Sequence, residues 1–230
     1  EEATVLADAG FDSLILENMH DVPYLLRDVG PEVVAGMTAV AAAVRRAVDL
    51  PLGIQVLAGA NRAALAVAQA AGAQYIRAEG FAFASVADEG LMAEADAGPL
   101  LRYRKAIGAE DIAVLADIKK KHSAHAVTAD VDLAETARAA EFCGADGVIV
   151  TGTATGAATS AADVAAVRGA VSVAVLVGSG VEPPQVEALL RHARSLIVGS
   201  WIKQNGHWAN GPDADRAREL VGAVRRALSV

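Results

Sequence analysis

The chain contains 230 residues, 53% of them apolar, and its 20 basic and 28 acidic residues give a formal net charge of −8 at pH 7. This composition excludes a disordered chain, and the negative charge argues against nucleic acid and anionic membranes as partners. The single cysteine, Cys143, excludes an internal disulfide, and no apolar run is long enough to span a membrane. We therefore expect a cytoplasmic protein without membrane insertion, which could still hold a small anion in a local basic pocket.

Short β-branched runs alternate with alanine-rich helical segments along the chain. The predicted strands are, in chain order, 12–17, 52–57, 74–79, 112–119, 146–151, 173–178 and 195–199. The predicted helices are 1–9, 37–49, 61–72, 91–107, 132–143, 160–170, 183–193 and 212–228. Such alternation is typical of parallel strands joined by crossover helices.

The element count indicates the fold class. Eight predicted helices against seven strands favour an α/β fold, a (β/α)8 TIM barrel that forms one domain over residues 1–230, with its first strand upstream of Glu1. A seven-stranded open or partial barrel is the alternative. The long connections at 80–90 and 120–131 are expected to be βα loops, which build the active face of such barrels.

Polar side chains near the strand ends are predicted to face the barrel interior. Side chains alternate along a strand, so the apolar even-numbered residues of 112–119 face the helices while Asp117 and Lys119 face inward. The same rule applied to every strand gives an inward ring of Glu17, Gln55, Arg77, Glu79, Asp117, Lys119 and Thr151. Buried unpaired charge is costly, so this ring is either an internally paired polar plug or a ligand site, and its place in a barrel favours the ligand site.

Glycine turns follow the last two predicted strands, where barrels commonly bind phosphate through backbone N–H groups and a helix N-terminus. The residues are Gly178, Ser179, Gly180, Gly199, Ser200 and Lys203, with the hydroxyls of Thr151 and Thr155 on the preceding loop. We therefore predict that a phosphate or another small anion binds at this end of the barrel.

Three consecutive lysines follow the fourth predicted strand. Lys119 continues the inward register of Asp117, and that neighbouring carboxylate favours an electrostatic role over a Schiff base. Lys120 continues the outward register and is predicted to be solvated. Lys121 and His122 fall in the loop over the mouth. The loop after the first predicted strand adds three candidate ligand contacts, Asn18, His20 and Asp21.

Seven blocks of sequence follow one another along nearly the whole chain. They are ILENMHDVPY (15–24), PLGIQVLAGAN (51–61), YIRAEGF (75–81), DIKKKHS (117–123), VIVTGTATG (148–156), VLVGSGV (175–181) and LIVGSWIKQNGHWAN (196–210). Together they resemble the BtpA/SgcQ family of TIM-barrel proteins, named for a cyanobacterial photosystem I biogenesis factor. The resemblance implies the barrel fold and a strand before Glu1. It also places the family pattern Asp-x-x-x-Lys-His on Asp117, Lys121 and His122.

One block departs from the family pattern. Many members have Asn-Val-Leu-Arg-Asn-Asp where this chain has Gln-Val-Leu-Ala-Gly-Ala at 55–60. The Arg and the final Asp of the family are replaced here by Ala58 and Ala60. We therefore assign the chain to a subgroup of the family that lacks those two side chains.

Two classes of function fit these features. The first is an enzyme that acts on a small phosphorylated, sugar-like metabolite by isomerase, epimerase or lyase chemistry. Its cations would polarise a carbonyl or stabilise an enolate, and its carboxylates and histidine would move protons. The candidate catalytic residues are Glu17, Arg77, Glu79, Asp117, Lys119, Lys121 and His122. The second class is a non-catalytic factor that assembles or stabilises a protein complex.

No cofactor is predicted from the sequence, although a divalent metal is possible. Glu79, Asp117, His122 and His20 are the residues that would bind one, but no compact motif such as His-x-His is present. The expected partners are a small anionic metabolite and further copies of the chain, because we expect a homo-oligomer.

Overall fold

Seven parallel strands form one sheet in the computed structural model, which describes residues 1–152 and 159–229. The strands are β1 (Leu14–Glu17), β2 (Leu52–Gln55), β3 (Tyr75–Ala78), β4 (Ala113–Ile118), β5 (Gly147–Thr151), β6 (Ala174–Gly178) and β7 (Ser195–Ile197). Each strand pairs with the next one along the chain, and β1 and β7 are the edge strands within the described ranges. Parallel strands in sequential order with intervening helices are the winding of a (β/α) barrel.

Helices pack against this sheet through small side chains. They are α1 (Glu2–Ala9), α2 (Pro31–Ala47), α3 (Asn61–Ala71), α4 (Ala97–Ala106), α5 (Leu133–Phe142), α6 (Ala161–Ala170), α7 (Val186–Leu190) and α8 (Ala214–Leu228). Ala41, Ala64 and Ala137 on three of the helices are fully buried in one core with the strand residues Ile76 and Val148. Alanine lets the helices approach the sheet closely, which explains the alanine-rich segments of the sequence.

Local signals account for several helix ends. Asp132 Oδ1 accepts the N–H of Glu135 at 2.7 Å and caps α5, as its spacing from Glu135 predicts. Gly72 ends α3 with a left-handed φ of 70°. The sequence predicts the last helix from 212, but it begins at Ala214, because Asp213 Oδ1 accepts the N–H groups two and three residues ahead at 2.9 and 3.1 Å.

The two long βα loops contain structure that the sequence pattern did not indicate. Residues Ser85–Ala87, Gly90–Met92 and Ser123–Ala124 form a small antiparallel sheet, which joins the loop after β3 to the loop after β4. Strands of two or three residues are too short to give a periodic signal. The helix predicted from 91 therefore begins later, at Ala97.

The main-sheet strands agree with their predictions to within two residues at each end. The seven main-sheet strands of the described ranges follow the sequential parallel order of a TIM barrel, as the predicted fold class requires. No helix in those ranges combines the length and the apolar character that crossing a bilayer requires.

Candidate active site

Arg77 lies at the centre of the polar ring predicted at the strand ends. Its Nε donates to both carboxylate oxygens of Asp117 on β4 at 3.1 Å, and its Nη1 lies 3.4 Å from Glu17 Oε1 on β1. The Asp117 side chain is 1% exposed and the Arg77 side chain 13%. A Cβ added to Gly178 at the end of β6 would lie 3.6 Å from Arg77 Nη2. The guanidinium therefore reaches from β3 toward both β1 and β6, across the concave side of the sheet. We call Arg77, Asp117 and Glu17 the Arg77 cluster.

Burial controls the ionisation of the Arg77 cluster. It raises the pKa of Glu17 and of Asp117, although the neighbouring Arg77 cation opposes the increase in both cases. Burial by itself lowers the pKa of Arg77, but the carboxylates of Asp117 and Glu17 outweigh it, and the pKa of Arg77 is raised. A permanent cation thus lies beside two carboxyl groups that hold their protons more tightly than exposed ones, an arrangement suited to proton transfer.

A second buried polar group adjoins the Arg77 cluster. Gln55 at the end of β2 is the register partner of Glu17, and its Nε2 donates to Glu79 Oε1 at 2.9 Å. Lys120 Nζ lies 3.0 Å from Glu79 Oε2, and the side chains of this ion pair are 14% and 4% exposed. We call Gln55, Glu79 and Lys120 the Glu79 cluster. The structure therefore brings five of the predicted inward residues together in two adjoining clusters. Lys120 is the sixth member of these clusters.

Two of the three lysines differ from their predicted positions. Lys119 has a left-handed φ of 41°, and its ammonium donates to the backbone oxygen of Thr128 at 2.9 Å and to its Oγ1 at 3.3 Å. The predicted inward position of Lys119 is therefore wrong, because alternation stops where β4 ends at Ile118. The predicted solvation of Lys120 is wrong for the same reason, since the chain now turns its side chain toward Glu79.

Lys121 lies at the ends of β5 and β6, on the side of the first glycine turn. Its backbone N–H donates to Thr151 Oγ1 at 2.9 Å, and its ammonium donates to Ser179 Oγ. Burial lowers the pKa of Lys121 and the Arg77 cation lowers it further, whereas Glu17 and Asp117 act in the opposite direction. Lys121 thus lies within electrostatic range of the Arg77 cluster.

The first glycine turn is shaped by close packing. Gly178 has no room for a side chain, because a Cβ there would lie 2.8 Å from Ile149 Cγ2. Ser179 and Gly180 have positive φ values of 78° and 67°. The N–H of Ser179 donates to Ile197 O at 3.3 Å, so one of the predicted phosphate donors already has a partner in the fold.

The second glycine turn is separate from the clusters. Gly199 and Ser200 are exposed, and Ser200 opens the short 3₁₀ turn Ser200–Ile202. Lys203 Nζ lies 3.1 Å from Glu2 Oε2 on α1, so the contacts of this lysine are at the edge of the sheet. Thr155 lies outside the described residues.

The remaining predicted residues lie on loops above the sheet. Asn18 Oδ1 accepts the N–H of Leu57 at 2.8 Å, and Asn18 Nδ2 donates to Asp21 Oδ2 at 3.2 Å, so Asn18 ties two βα loops together. His20 packs against Trp208, with ring centroids 5.4 Å apart. A separate contact joins His122 to the small antiparallel sheet, since its Nδ1 lies 3.9 Å from Asp88 Oδ2.

Sequence reasoning missed two residues that hold the loops around the Glu79 cluster. Asn61 Nδ2 donates to the backbone oxygen of Glu79 at 2.8 Å and to Asp96 Oδ2 at 2.7 Å, while its Oδ1 accepts the N–H of Glu79 at 3.1 Å. Arg27 Nη2 donates to the backbone oxygens of Gly80 and Glu94 at 3.2 and 2.6 Å. Asn61 follows a βα turn directly and could have been proposed on that ground, whereas no periodic signal marks Arg27.

The described residues contain no group of three or more His, Cys, Asp and Glu side chains that could hold a metal ion. The four residues proposed from sequence as metal ligands have other contacts in the structure. Glu79 and Asp117 are engaged by Lys120 and Arg77, while His20 and His122 lie on separate loops.

The sheet and the polar face at its strand ends define the chain as a TIM-barrel protein, and solved structures agree. A thiamine phosphate pyrophosphorylase from Pyrococcus furiosus superposes with a TM-score of 0.65 at 13% identity, over 99% of this chain and 89% of that one. A phosphoribosyl anthranilate isomerase from Thermus thermophilus gives 0.61 at 15% identity, over 98% and 93%. Both are enzymes named for phosphorylated metabolites, and at these identities the likeness confirms the predicted fold class alone.

Sequence comparison identifies the family. The model of the BtpA family matches residues 1–226. An uncharacterised protein of Caenorhabditis elegans is 46% identical over 97% of this chain and 82% of its own length. The photosystem I biogenesis protein BtpA of Synechocystis is 34% identical over 99% and 79%. The chain belongs to the BtpA family, which confirms the resemblance drawn from the seven blocks.

Proposed function

We propose that the chain is an enzyme that acts on a phosphorylated small molecule by acid–base chemistry of the isomerase, epimerase or lyase type. The observation that carries this proposal is the Arg77 cluster, in which a half-buried guanidinium is held by two carboxyl groups of raised pKa. The second carboxyl group gives the site a proton acceptor and a proton donor beside the same cation.

The roles follow from position. The Lys121 ammonium and the turn at Gly178–Gly180 hold the phosphate, and Thr151 fixes the backbone of Lys121 through its hydroxyl. Arg77 stabilises the negative charge that develops on a substrate oxygen when a neighbouring C–H or C–C bond breaks. Asp117 or Glu17 takes the proton and returns it. The fold likeness to enzymes of phosphorylated metabolites supports this assignment without identifying a substrate.

Deuterium exchange tests the proposal directly. The protein is incubated in D₂O with a panel of aldose and ketose phosphates, and proton NMR follows deuterium entering carbon positions next to the carbonyl. We expect exchange with at least one panel member and a loss of about 100-fold or more in Asp117→Asn, because a positioned acid–base group contributes roughly 10²–10⁴-fold. Asp215→Asn, which alters an exposed carboxylate on α8, is the matched control. Exchange that persists in Asp117→Asn would remove this residue from the mechanism.

A factor that assembles or stabilises a protein complex is the second candidate, favoured by the name of the Synechocystis relative. Complementation of a strain lacking the chain separates the two candidates. An enzyme that uses either carboxyl group needs at least one of them, so the folded double variant Asp117→Asn, Glu17→Gln is expected not to complement. Full complementation by that variant, together with no exchange across the panel, would favour the factor.

A further inference from the structure

Gln55 carries a buried hydrogen-bond acceptor that no described residue of the chain pairs with. The residue is 2% exposed, and among the described residues its Oε1 has no hydrogen-bond partner. An acceptor buried without a partner costs about 1–3 kcal/mol. Buried polar groups in native proteins are almost always paired, so this one calls for a donor from outside the described residues.

The orientation of the Gln55 amide is fixed by its neighbour. Its partner Glu79 Oε1, 2.9 Å away, belongs to a carboxylate that is also engaged by Lys120 and can only accept. The amide nitrogen must therefore face Glu79, and the carbonyl oxygen faces the other way. Asn61 secures the Glu79 backbone on both sides, so the whole arrangement is held in place before any ligand arrives.

The free acceptor belongs to the same interior face as the Arg77 cluster. Gln55 is the register partner of Glu17, and its chain neighbours Ile54 and Val56 are buried in the apolar core on the opposite side of the strand. Lys121 and Ser179 lie at the other end of this face, above β5 and β6. A ligand that places its anionic group on Lys121 and its reacting carbon at Arg77 would extend toward β2.

We propose that Gln55 is a specificity-determining residue whose Oε1 accepts a hydrogen bond from a hydroxyl group on the non-phosphorylated end of the substrate. The inference rests on the proposed function, because the phosphate at Lys121 sets the direction in which the ligand lies. It narrows the substrate class to hydroxylated phosphate esters. A ligand that carries only alkyl carbon at that end leaves the acceptor unpaired and binds less tightly.

Calorimetry with paired phosphate esters tests this inference. Propyl phosphate is compared with glycerol 3-phosphate, and pentyl phosphate with ribitol 5-phosphate, so that each pair differs in hydroxyl groups. We expect the hydroxylated member of at least one pair to bind about fivefold more tightly to the unmodified protein, the increment of one neutral hydrogen bond. In Gln55→Met this preference should vanish. Gln69→Met, which makes the same exchange on the exposed side of α3, should retain the preference.

The outcomes separate the two proposals. Suppose that the esters bind and that binding depends on Lys121. A hydroxyl preference that survives in Gln55→Met, or that the unmodified protein lacks, would then overturn the role of Gln55. The phosphate site would be unaffected by either result. Absence of binding by all four esters would overturn both. If Gln55→Met unfolds, Gln55→Asn replaces it, because the shorter side chain retains an amide but withdraws the acceptor by one methylene group, and the preference should again be lost.

Discussion

The polar side chains at the strand ends and those on the loops above them are held in different ways. Asp117 is buried, Arg77 and Glu17 are half-buried, and the three pair side chain to side chain across three strands. Lys119 and Lys203, which the sequence also suggested for the site, are instead engaged by the loop at Thr128 and by α1. A strand therefore fixes both the position and the direction of a side chain. A loop residue only one or two positions beyond a strand has neither its position nor its direction fixed in this way. Its charge alone therefore does not assign it to a site.

Removing the central cation should have the largest effect on stability. Arg77→Met leaves the buried Asp117 and the half-buried Glu17 without their cation, and breaking one side of a buried pair costs about 3–5 kcal/mol. We expect the free energy of unfolding in urea to fall by about that amount. Arg138→Met, which removes an exposed i,i+3 partner of Glu135, is the control and should lower it by less than about 0.5 kcal/mol. Similar losses in both variants would mean that the Arg77 cluster is not the buried pair described above.

Lys120→Met tests the corrected position of that lysine. If the Lys120 ammonium is paired with buried Glu79, the substitution should cost about 2 kcal/mol, less than the loss of Arg77 because Gln55 continues to donate to the carboxylate. A solvated lysine would cost almost nothing. Lys105→Met, on the exposed side of α4, is the reference for a solvated lysine. Equal urea midpoints for the two variants would mean that the Lys120 side chain is solvated and not paired with Glu79.

Phosphate binding should distinguish Lys121 from Lys119. Lys121→Met removes the cation beside Ser179, and we expect the affinity for propyl phosphate to fall about tenfold or more, the value of one charge-assisted hydrogen bond. Lys119→Met should leave that affinity within about twofold, because the Lys119 ammonium is engaged by Thr128. The reverse ranking of the two lysines in calorimetry would reinstate the inward position first predicted for Lys119.

Most of the barrel and part of its site could be predicted from the sequence, for one physical reason. Alternation along a strand correctly brought Glu17, Gln55, Arg77 and Asp117 to one face, because each lies within a regular strand of the main sheet. The prediction failed where regular backbone stops. The left-handed φ of 41° at Lys119 exchanged the directions expected for that residue and its successor.

Loop contacts were beyond the sequence for a related reason. Arg27, on the loop after β1, holds the loop after β3 by donating to two of its backbone carbonyl groups. Every residue has a backbone carbonyl group, so such an acceptor cannot be recognised from the residue type. The small antiparallel sheet has strands too short to carry a period. Whether the strand-end residues are catalytic stays a prediction, since geometry brings them together without assigning a reaction.

The pH dependence of stability gives the finest test of the buried cluster. The pKa of Glu17 is raised above 4.5 in the folded protein, chiefly by burial. As the pH rises from about 4.5, the unfolded chain releases this proton while the folded protein retains it, so the free energy of unfolding falls until the folded-state pKa is passed. Glu17→Gln has no proton to release there, and its stability should decline less over the same pH window. Urea unfolding at successive pH values measures the difference, with the exposed Glu110→Gln as the control that should follow the unmodified protein. An unchanged decline in Glu17→Gln would mean that Glu17 is already ionised at acid pH. The Arg77 cluster would then hold a paired carboxylate at that position, without a proton to donate.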